Sequence, residues 1–254
     1  MAKPIEIGSR SFPTQSSALD YYKALLHKYK DGARIESADD HADLVALLNR
    51  YDPVLDAVGE PSKGDGQIGH FERRLNAGTG WSSPGFWVVR EDGTATDFSY
   101  IDAVKGKPKG RSQDFYNACR HAVALDLIKA KKQAFAQYSD DEGRVECELT
   151  SAMVTIDQAH LDHAWPQFSH LVSGFRAARG WSREIPDGVV SVPSDGRTNA
   201  TFIDDATADA FRSYHHDQAV LRILSRTANL QTASKARKPK IARPVNIPIN
   251  NTQR

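Results

Sequence analysis

The stretch FWVVREDGTATDFSY at residues 86–100 decides the fold class of the N-terminal part of this chain. Its flanks, 86–90 and 96–100, are rich in β-branched and aromatic residues, which are typical of strands. An Asp-Gly step at 92–93 lies between them and favours a tight turn, because glycine adopts a positive φ without steric cost. We therefore predict an antiparallel hairpin over this stretch.

Helical patterns precede the hairpin and extend it into a small domain. Apolar residues recur at helical spacing over 16–30 and 39–51, and a further strand is predicted over 67–73. Two helices followed by an antiparallel sheet are typical of an α+β fold. We therefore predict the fold class α+β and assign a first domain to residues 1–106.

The following residues predict a second, mainly helical domain over 107–235. A basic linker rich in glycine and proline, KGKPKGRS at 105–112, leads into a long helix predicted over 113–138. The helical pattern places Leu125 among the buried residues of this helix. Residues 182–200 are rich in turn formers and predict a long loop.

The composition is that of an ordinary folded protein, with 40% hydrophobic and 26% charged residues and a formal net charge of +1. The charge is unevenly distributed. Six basic residues and no acidic one lie between Lys235 and Arg254, which leaves about −5 on the remainder of the chain. Prolines in this segment disfavour a packed helix, so we predict a basic, flexible tail over 236–254. Local positive charge of this kind suits contacts with nucleic-acid phosphates.

Cysteine content and hydropathy bear on the compartment. The two cysteines, Cys119 and Cys147, are too few for a disulfide framework, which favours a reducing compartment. The N-terminal residues MAKPIEIGSRSF contain no apolar core of a signal peptide. No run approaches the roughly 18 apolar residues that a membrane-spanning helix needs. We therefore expect a cytoplasmic protein without a membrane span.

Motifs of the first domain occur in a specific combination: Ala46-Leu47-Leu48 in a predicted helix, GQIGHF at 66–71, FWVVREDGT at 86–94 and DFSY at 97–100. With these motifs, the segment from Phe12 to Val104 resembles the DCL domain, which is found in a plant plastid protein, in plant RNA polymerase subunits and in bacterial proteins. The resemblance implies a nucleic-acid-associated module and carries over no catalytic residue. Asp97 and Trp87 either contact nucleic acid or have a structural role, and the sequence leaves both alternatives open.

Two segments of the second domain concern chemistry. The first is CELTS at 147–151 followed by AHLDHAWP at 159–166, and the second is YHH at 214–216 followed by AVLRILSRTAN at 219–229. Together they resemble an HNH endonuclease, in which an Asp-His step ends the first strand of a ββα-metal hairpin. A Leu-rich strand follows, and an Asn lies on the next helix. The resemblance implies a metal-dependent endonuclease, a hydrolase of double-stranded DNA of the restriction or mobile-element type.

The resemblance assigns a role to each matching residue. His163 would be the general base that takes the proton of the attacking water, since a neutral imidazole can do so near pH 7. Asp162 and Asn229 would hold one Mg²⁺ or Mn²⁺, with water and phosphate completing its shell. His160 precedes Asp162 by two residues and would share its strand face, as a further metal ligand, a phosphate contact or a structural imidazole.

The pattern of a structural zinc site is incomplete in this chain. Many HNH proteins carry two pairs of cysteines, and the corresponding positions here are Cys147 and Thr150 in the first pair and Ser225 and Ala228 in the second. One thiolate cannot replace four zinc ligands. We therefore expect Mg²⁺ or Mn²⁺ as the cofactor and no structural zinc.

A further departure concerns the middle Asn of the family, which braces the loop and corresponds here to Val220. A valine side chain forms no hydrogen bond, and His215 or His216 is a candidate for the bracing role. These departures favour a second interpretation, a non-catalytic nucleic-acid-binding protein that keeps the HNH fold. A third is an RNA-processing factor, suggested by the plant relatives of the DCL domain. A homodimer is compatible with each interpretation, and none involves a membrane.

The basic tail gives a first testable prediction. If Lys235, Arg237, Lys238 and Lys240 contact phosphates, deleting residues 235–254 should weaken binding to duplex DNA and change thermal stability little. Each lost contact should reduce the slope of log affinity against log salt concentration by roughly 0.9. Titrations of the parent and truncated proteins at several salt concentrations measure both quantities. Unchanged affinity and slope would show that the tail does not contact DNA.

Overall fold

The computed structural model of this protein describes residues 4–64, 67–191, 200–231 and 241–247. Helices are combined with antiparallel sheets, so the fold class is α+β, as predicted. The chain divides into two compact units, the first comprising the described residues up to Gln113 together with Ala200, and the second the remaining described residues from Asp114 onward. No helix within the described residues is both long enough and apolar enough to cross a membrane.

The first unit combines helices with short antiparallel sheets. Its described elements are β1 (Ile5–Ile7), β2 (Arg10–Phe12), α1 (Gln15–Lys28), α2 (Ala38–Asp56), β3 (Ile68–Gly78), β4 (Trp81–Arg90), β5 (Ala95–Phe98) and α3 (Tyr100–Lys105). Strand β1 pairs with β2, and a second antiparallel sheet has the order β3-β4-β5. Gly93 lies in the turn between β4 and β5 with φ 83°, as the Asp-Gly step predicted. The sequence patterns did not identify β1 and β2.

One face of the larger sheet forms the core of the first unit with α1 and α2. The sheet contributes Phe71, Phe86, Val88 and Phe98, all less than one tenth exposed. Phe86 lies opposite Phe98 in the register, and their stacked ring centroids are 5.9 Å apart. Alternate residues of these strands are apolar because they form this buried face.

The other face of this sheet holds a chain of hydrogen bonds. Trp87 Nε1 donates to Asn76 Oδ1 at 2.7 Å, and Asn76 Nδ2 donates to Asp97 Oδ2 at 3.0 Å. Gly85 leaves room for the amide, since a Cβ there would lie 2.7 Å from Asn76 Nδ2. Burial raises the pKa of Asp97. Asp97 and Trp87 thus have structural roles in this sheet, and their contact with nucleic acid stays a prediction.

The second unit is built on one long helix. Its described elements are α4 (Arg111–Tyr138), β6 (Val145–Glu146), β7 (Met153–Val154), β8 (Ala159–Trp165), α5 (Phe168–Ala178), α6 (Asp205–Gln218), β9 (Val220–Ser225) and α7 (Arg226–Gln231). Strand β6 pairs with β7, and β8 pairs with β9. The predicted burial of Leu125 in α4 is wrong, because Leu125 is 62% exposed. It follows the buried Val123 by two residues, which turns it about 200° around the helix axis.

Strands β8 and β9 pair although α5 and α6 lie between them in the chain. The prediction that the Asp-His step ends the first strand is wrong, since β8 continues through His163 to Trp165. The register shifts between His163 and Trp165, so the irregularity lies just after the predicted end. Helix α7 follows β9 without a loop, which places a strand, its partner strand and a helix next to one another.

The C-terminal segment differs from the flexible tail that the sequence predicted. Val245 N donates to Leu221 O at 3.0 Å, and the Val245 side chain is buried in an apolar cluster with residues of α4 and β9. Arg243 donates through Nη1 to Glu146 Oε2 at 2.9 Å. Residues 241–247 are therefore part of the second unit, because an apolar side chain and a main-chain hydrogen bond attach them to the edge of β9. Lys235, Arg237, Lys238 and Lys240 lie outside the described residues.

Because residues 241–247 are packed against the second unit, deleting residues 235–254 should lower thermal stability, contrary to the expectation from the sequence. Val245→Ala should lower the free energy of unfolding by about 1–3 kcal/mol, because it removes buried methyl groups from a packed cluster. Asn246→Ala is a matched control on the neighbouring exposed side chain and should change stability little. Urea denaturation followed by circular dichroism measures both. Equal stability of the two variants would show that the segment is not packed against the unit in solution.

Candidate functional site

The β8–β9 hairpin positions the residues that the sequence singled out. In its register, His160 lies opposite Leu224 and Asp162 lies opposite Arg222. Successive side chains of a strand point to opposite faces, so His160 and Asp162 share one face while His163 belongs to the other. The face of His163 also carries Leu161, which packs in the apolar cluster that includes α4.

Helix α7 brings Asn229 to the face of His160. Asn229 Nδ2 lies 3.2 Å from His160 Nδ1, within hydrogen-bonding distance. On the other side, Lys131 Nζ of α4 donates to Ala159 O at 2.7 Å. Burial, followed by the positive charges of Lys131 and Arg226, lowers the pKa of His160. His160 therefore has a neutral imidazole at pH 7, and its Nδ1 is engaged by Asn229.

Asp162 on the same face forms an ion pair with Arg222 across the hairpin. Arg222 Nε donates to Asp162 Oδ2 at 2.8 Å, and Arg222 Nη2 lies 2.8 Å from the same oxygen. The arginine side chain is only 4% exposed, against 19% for the aspartate. Asp162 is thus neutralised by a buried guanidinium. We call His160, Asp162, Arg222 and Asn229 the hairpin cluster.

His163 lies away from the hairpin cluster, in contact with α5 and α6. Its Nε2 is 2.8 Å from His215 Nε2, and its ring centroid is 5.1 Å from that of Phe168. Burial and the charge of Arg120 lower the pKa of His163 to about 4. The structure therefore brings together His160, Asp162 and Asn229 but not His163. The predicted role of His163 as general base stays a prediction.

The two candidates for the bracing role differ in their contacts. His215 is fully buried and contacts the imidazole of His163, and its Nδ1 has no partner within the described part of the chain. Burial, then the neighbouring His163 and His216, lower the pKa of His215 to about 3. His216 instead has its Nε2 3.4 Å from Asp126 Oδ2. His215 is thus the residue that links α6 to β8.

The four positions that correspond to zinc-binding cysteines converge at the start of α7. Ser225 N donates to Cys147 Sγ at 3.2 Å, and Ala228 N donates to Ser225 Oγ at 3.1 Å. Burial opposes ionisation of Cys147, but hydrogen bonds from Thr150 and from backbone N–H groups lower its pKa to about 7. Hydrogen bonds and a small apolar cluster connect these positions and fix α7 against the end of β9.

Several contacts of the site had no signal in the sequence. Arg222 belongs to an apolar-rich strand, and its pairing with Asp162 depends on a register between residues 60 positions apart. Lys131 belongs to α4, and its hydrogen bond to Ala159 O joins residues 28 positions apart. No group of three His, Cys, Asp or Glu side chains suited to a metal ion occurs in the ranges that the structure describes. A cation at the hairpin cluster would therefore depend on Asp162 and the amide oxygen of Asn229.

Comparison with known proteins finds a family model that matches part of the first unit. Residues 23–104 match a family model described as "Protein of unknown function (DUF3223)". An uncharacterized protein from Rhodospirillum rubrum, solved by solution NMR, is 32% identical over 41% of this chain and 89% of its own, with a TM-score of 0.34. No curated protein matches the chain. Neither the description of the family nor that of the solved protein names an activity.

The imidazole pair predicts a dependence of stability on pH. His215 has a lowered pKa in the folded protein, so the unfolded chain binds a proton first when the pH falls below about 6.5. The contribution of His215 to the free energy of unfolding is therefore at its maximum above this pH. It decreases by up to about 1.4 kcal/mol per pH unit as the pH falls toward 4. The burial of His163 acts in the same direction.

Urea denaturation of the parent at a series of pH values between 7 and 4 measures this loss. His215→Phe removes one titrating group and should flatten the profile, whereas His170→Phe on the exposed part of α5 should leave it unchanged. His215→Gln serves the same purpose if the larger ring is not tolerated. Identical profiles of stability against pH for the parent and all variants would show that His215 is not the group responsible for the pH dependence.

Proposed function

We propose that the second unit hydrolyses phosphodiester bonds of DNA, as a metal-dependent endonuclease of the HNH kind. The observation that supports this proposal is the hairpin cluster, in which an imidazole, a carboxylate and an amide lie on one face of a β hairpin beside a helix. These groups meet the needs of the reaction, which are a proton acceptor, oxygen ligands for a cation, and positive charge near the phosphate.

Two cations, Lys131 and Arg226, act electrostatically on His160 of the hairpin cluster. Lys131 lies beside β8, and the exposed Arg226 begins α7 next to Asn229. Both affect His160 electrostatically, and both leave its imidazole uncharged. A phosphate that approaches His160 therefore meets two cations, and the negative charge that develops during cleavage is stabilised.

The hairpin cluster contains the type of ligand atoms that a hard divalent cation prefers. Asp162 Oδ1 accepts no hydrogen bond within the described residues, and a carboxylate and an amide oxygen are ligands that Mg²⁺ and Mn²⁺ accept. Asp162 and Asn229 would hold the ion, with His160 at the edge of the same face. When bound, such an ion would neutralise the phosphate and assist departure of the leaving oxygen.

The geometry favours His160 over His163 as the imidazole that serves the reaction. His160 shares the face of Asp162, and its Nδ1, which accepts a hydrogen bond from Asn229 Nδ2 in this conformation, can take a proton from water once Asn229 turns its amide to the cation. His163 is held by His215 and by the aromatic ring of Phe168. We therefore assign His163 and its partner a structural role in fixing β8 against α6, and we place the chemistry at His160.

The first unit and the two cysteines complete the proposed function. The DCL-like segment would help to bind DNA, in line with its resemblance to nucleic-acid-associated modules. Cys119 and Cys147 are both free and buried, which suits the reducing conditions of the cytoplasm. We propose a cytoplasmic protein with duplex DNA as its partner.

A second candidate is a nucleic-acid-binding protein without catalysis. The observation that favours it is the ion pair of Asp162 with the buried Arg222, which already neutralises the main acidic ligand. In that case the cations around His160 would bind phosphate, and no bond would be cleaved.

A cleavage assay separates the two. Purified protein is incubated with duplex DNA, single-stranded DNA and RNA in the presence of Mg²⁺, Mn²⁺ or EDTA. We expect metal-dependent cleavage of duplex DNA, with a loss on the order of 10²-fold or more for His160→Ala and Asp162→Asn. His163→Ala should lose less activity, in proportion to its effect on folding.

Matched controls are the exposed residues of the same unit, His170→Ala and Asp141→Asn, which should retain parental activity. Binding without cleavage by the parent would support the second candidate, and cleavage of RNA alone would point to RNA processing. A loss for His163→Ala larger than for His160→Ala, in a folded variant, would return the general base to His163.

A further inference from the structure

Arg222 is the residue of the hairpin cluster that the proposed chemistry does not use. Two of its nitrogen atoms lie 2.8 Å from the same carboxylate oxygen of Asp162. Its side chain is 4% exposed, although it belongs to a strand whose other residues are mostly apolar. Burying a guanidinium is costly unless it has a charged partner, so Arg222 depends on Asp162 in this conformation.

We infer that Arg222 regulates metal binding at the hairpin cluster by competing with a divalent cation for Asp162. This inference rests on the proposed function. With no nucleic acid bound, Arg222 occupies the carboxylate. When a backbone phosphate binds beside His160, Arg222 transfers its hydrogen bonds to the phosphate, and Asp162 becomes available as a ligand.

The competition follows from charge. A guanidinium and a divalent cation on one carboxylate repel each other, and the partly buried position of Asp162 weakens solvent screening of that repulsion. The cation therefore binds weakly while the ion pair is intact. Removing one partner alone would leave a buried charge without compensation, so Arg222 needs a replacement anion before it leaves Asp162.

A nucleic-acid phosphate is a suitable replacement anion. It offers two oxygens to a guanidinium in the same forked geometry as a carboxylate. Lys131 and Arg226 both act electrostatically on His160, and their positive charge would favour binding of a phosphate near it. Substrate and metal would thus bind cooperatively, since each makes the position of the other available.

The alternative is a static ion pair that only stabilises the hairpin. Asp162 and Arg222 lie directly opposite each other in the register, and cross-strand pairs of opposite charge stabilise antiparallel strands. A static pair and a competing pair differ in one measurable respect. Only the competing pair makes metal affinity depend on the charge of residue 222.

The test is the affinity of the full chain for Mn²⁺, measured by electron paramagnetic resonance without nucleic acid. We expect Arg222→Gln to bind Mn²⁺ at least about tenfold more tightly than the parent, because a positive charge next to the ligand is removed. Arg222→Lys keeps the charge but makes fewer hydrogen bonds, so its affinity should lie between the two. Asp162→Asn combined with Arg222→Gln should lose the gain.

Arg243→Gln is the matched control, because within the described residues Arg243 pairs with Glu146 and Glu148 and not with Asp162. It should bind Mn²⁺ as the parent does. Thermal unfolding with and without Mn²⁺ gives a second readout. The melting temperature of Arg222→Gln should rise with Mn²⁺, and that of the parent should not. If Arg222→Gln does not fold, the same comparison is made with Arg222→Met, which also removes the charge and leaves an apolar side chain of similar length in the buried position.

Nucleic acid provides the last comparison. A short DNA duplex should raise the Mn²⁺ affinity of the parent towards that of Arg222→Gln and change the variant little. Equal affinities of the parent and the folded Arg222 variants without DNA would overturn the inference, whether or not the parent cleaves DNA. Absence of cleavage by the parent would overturn the proposed function, while tighter Mn²⁺ binding by Arg222→Gln would still support the competition at Asp162.

Discussion

The second unit depends on the antiparallel pairing of β8 with β9. This pairing joins two segments separated by α5 and α6 in the chain, and it places Asp162 opposite Arg222. Because α7 follows β9 directly, the same pairing brings Asn229 to His160. The edge of β9 also receives Val245, so the C-terminal segment is attached to the same strand. A shift of the register by one residue would exchange the two faces of β8 and separate all of these groups.

Burial determines what each polar group of the unit can do. His160 keeps a neutral ring next to two cations, and His163 and His215 stay neutral because both rings are enclosed. Burial of the charged Arg222 costs desolvation free energy, and its ion pair with Asp162 offsets that cost. The hairpin therefore places its two imidazoles in different environments: His160 lies on the face of Asp162 and contacts Asn229, and His163 supports the contact between β8 and α6.

Family comparisons and the site concern different parts of the chain. The matched family model lies within the first unit, where the described polar groups of the outer sheet face bond mainly to one another. The residues with an arrangement suited to chemistry lie in the second unit, beyond that match. A function for this protein is therefore an inference about the hairpin cluster, and the family name adds no chemistry to it.

The sequence by itself determined the fold class, the hairpin at 86–100 and the long helix α4, because periodicity and turn residues act locally. The resemblance to HNH endonucleases singled out Asp162, His163 and Asn229, and strand alternation added His160. It did not determine the buried side of α4 at Leu125 or the attachment of Val245, which depend on the neighbours that each segment meets. Only the tertiary structure paired Arg222 with Asp162 and turned His163 towards His215. Those contacts join residues more than fifty positions apart, and their geometry is set by strand register, which local patterns do not encode.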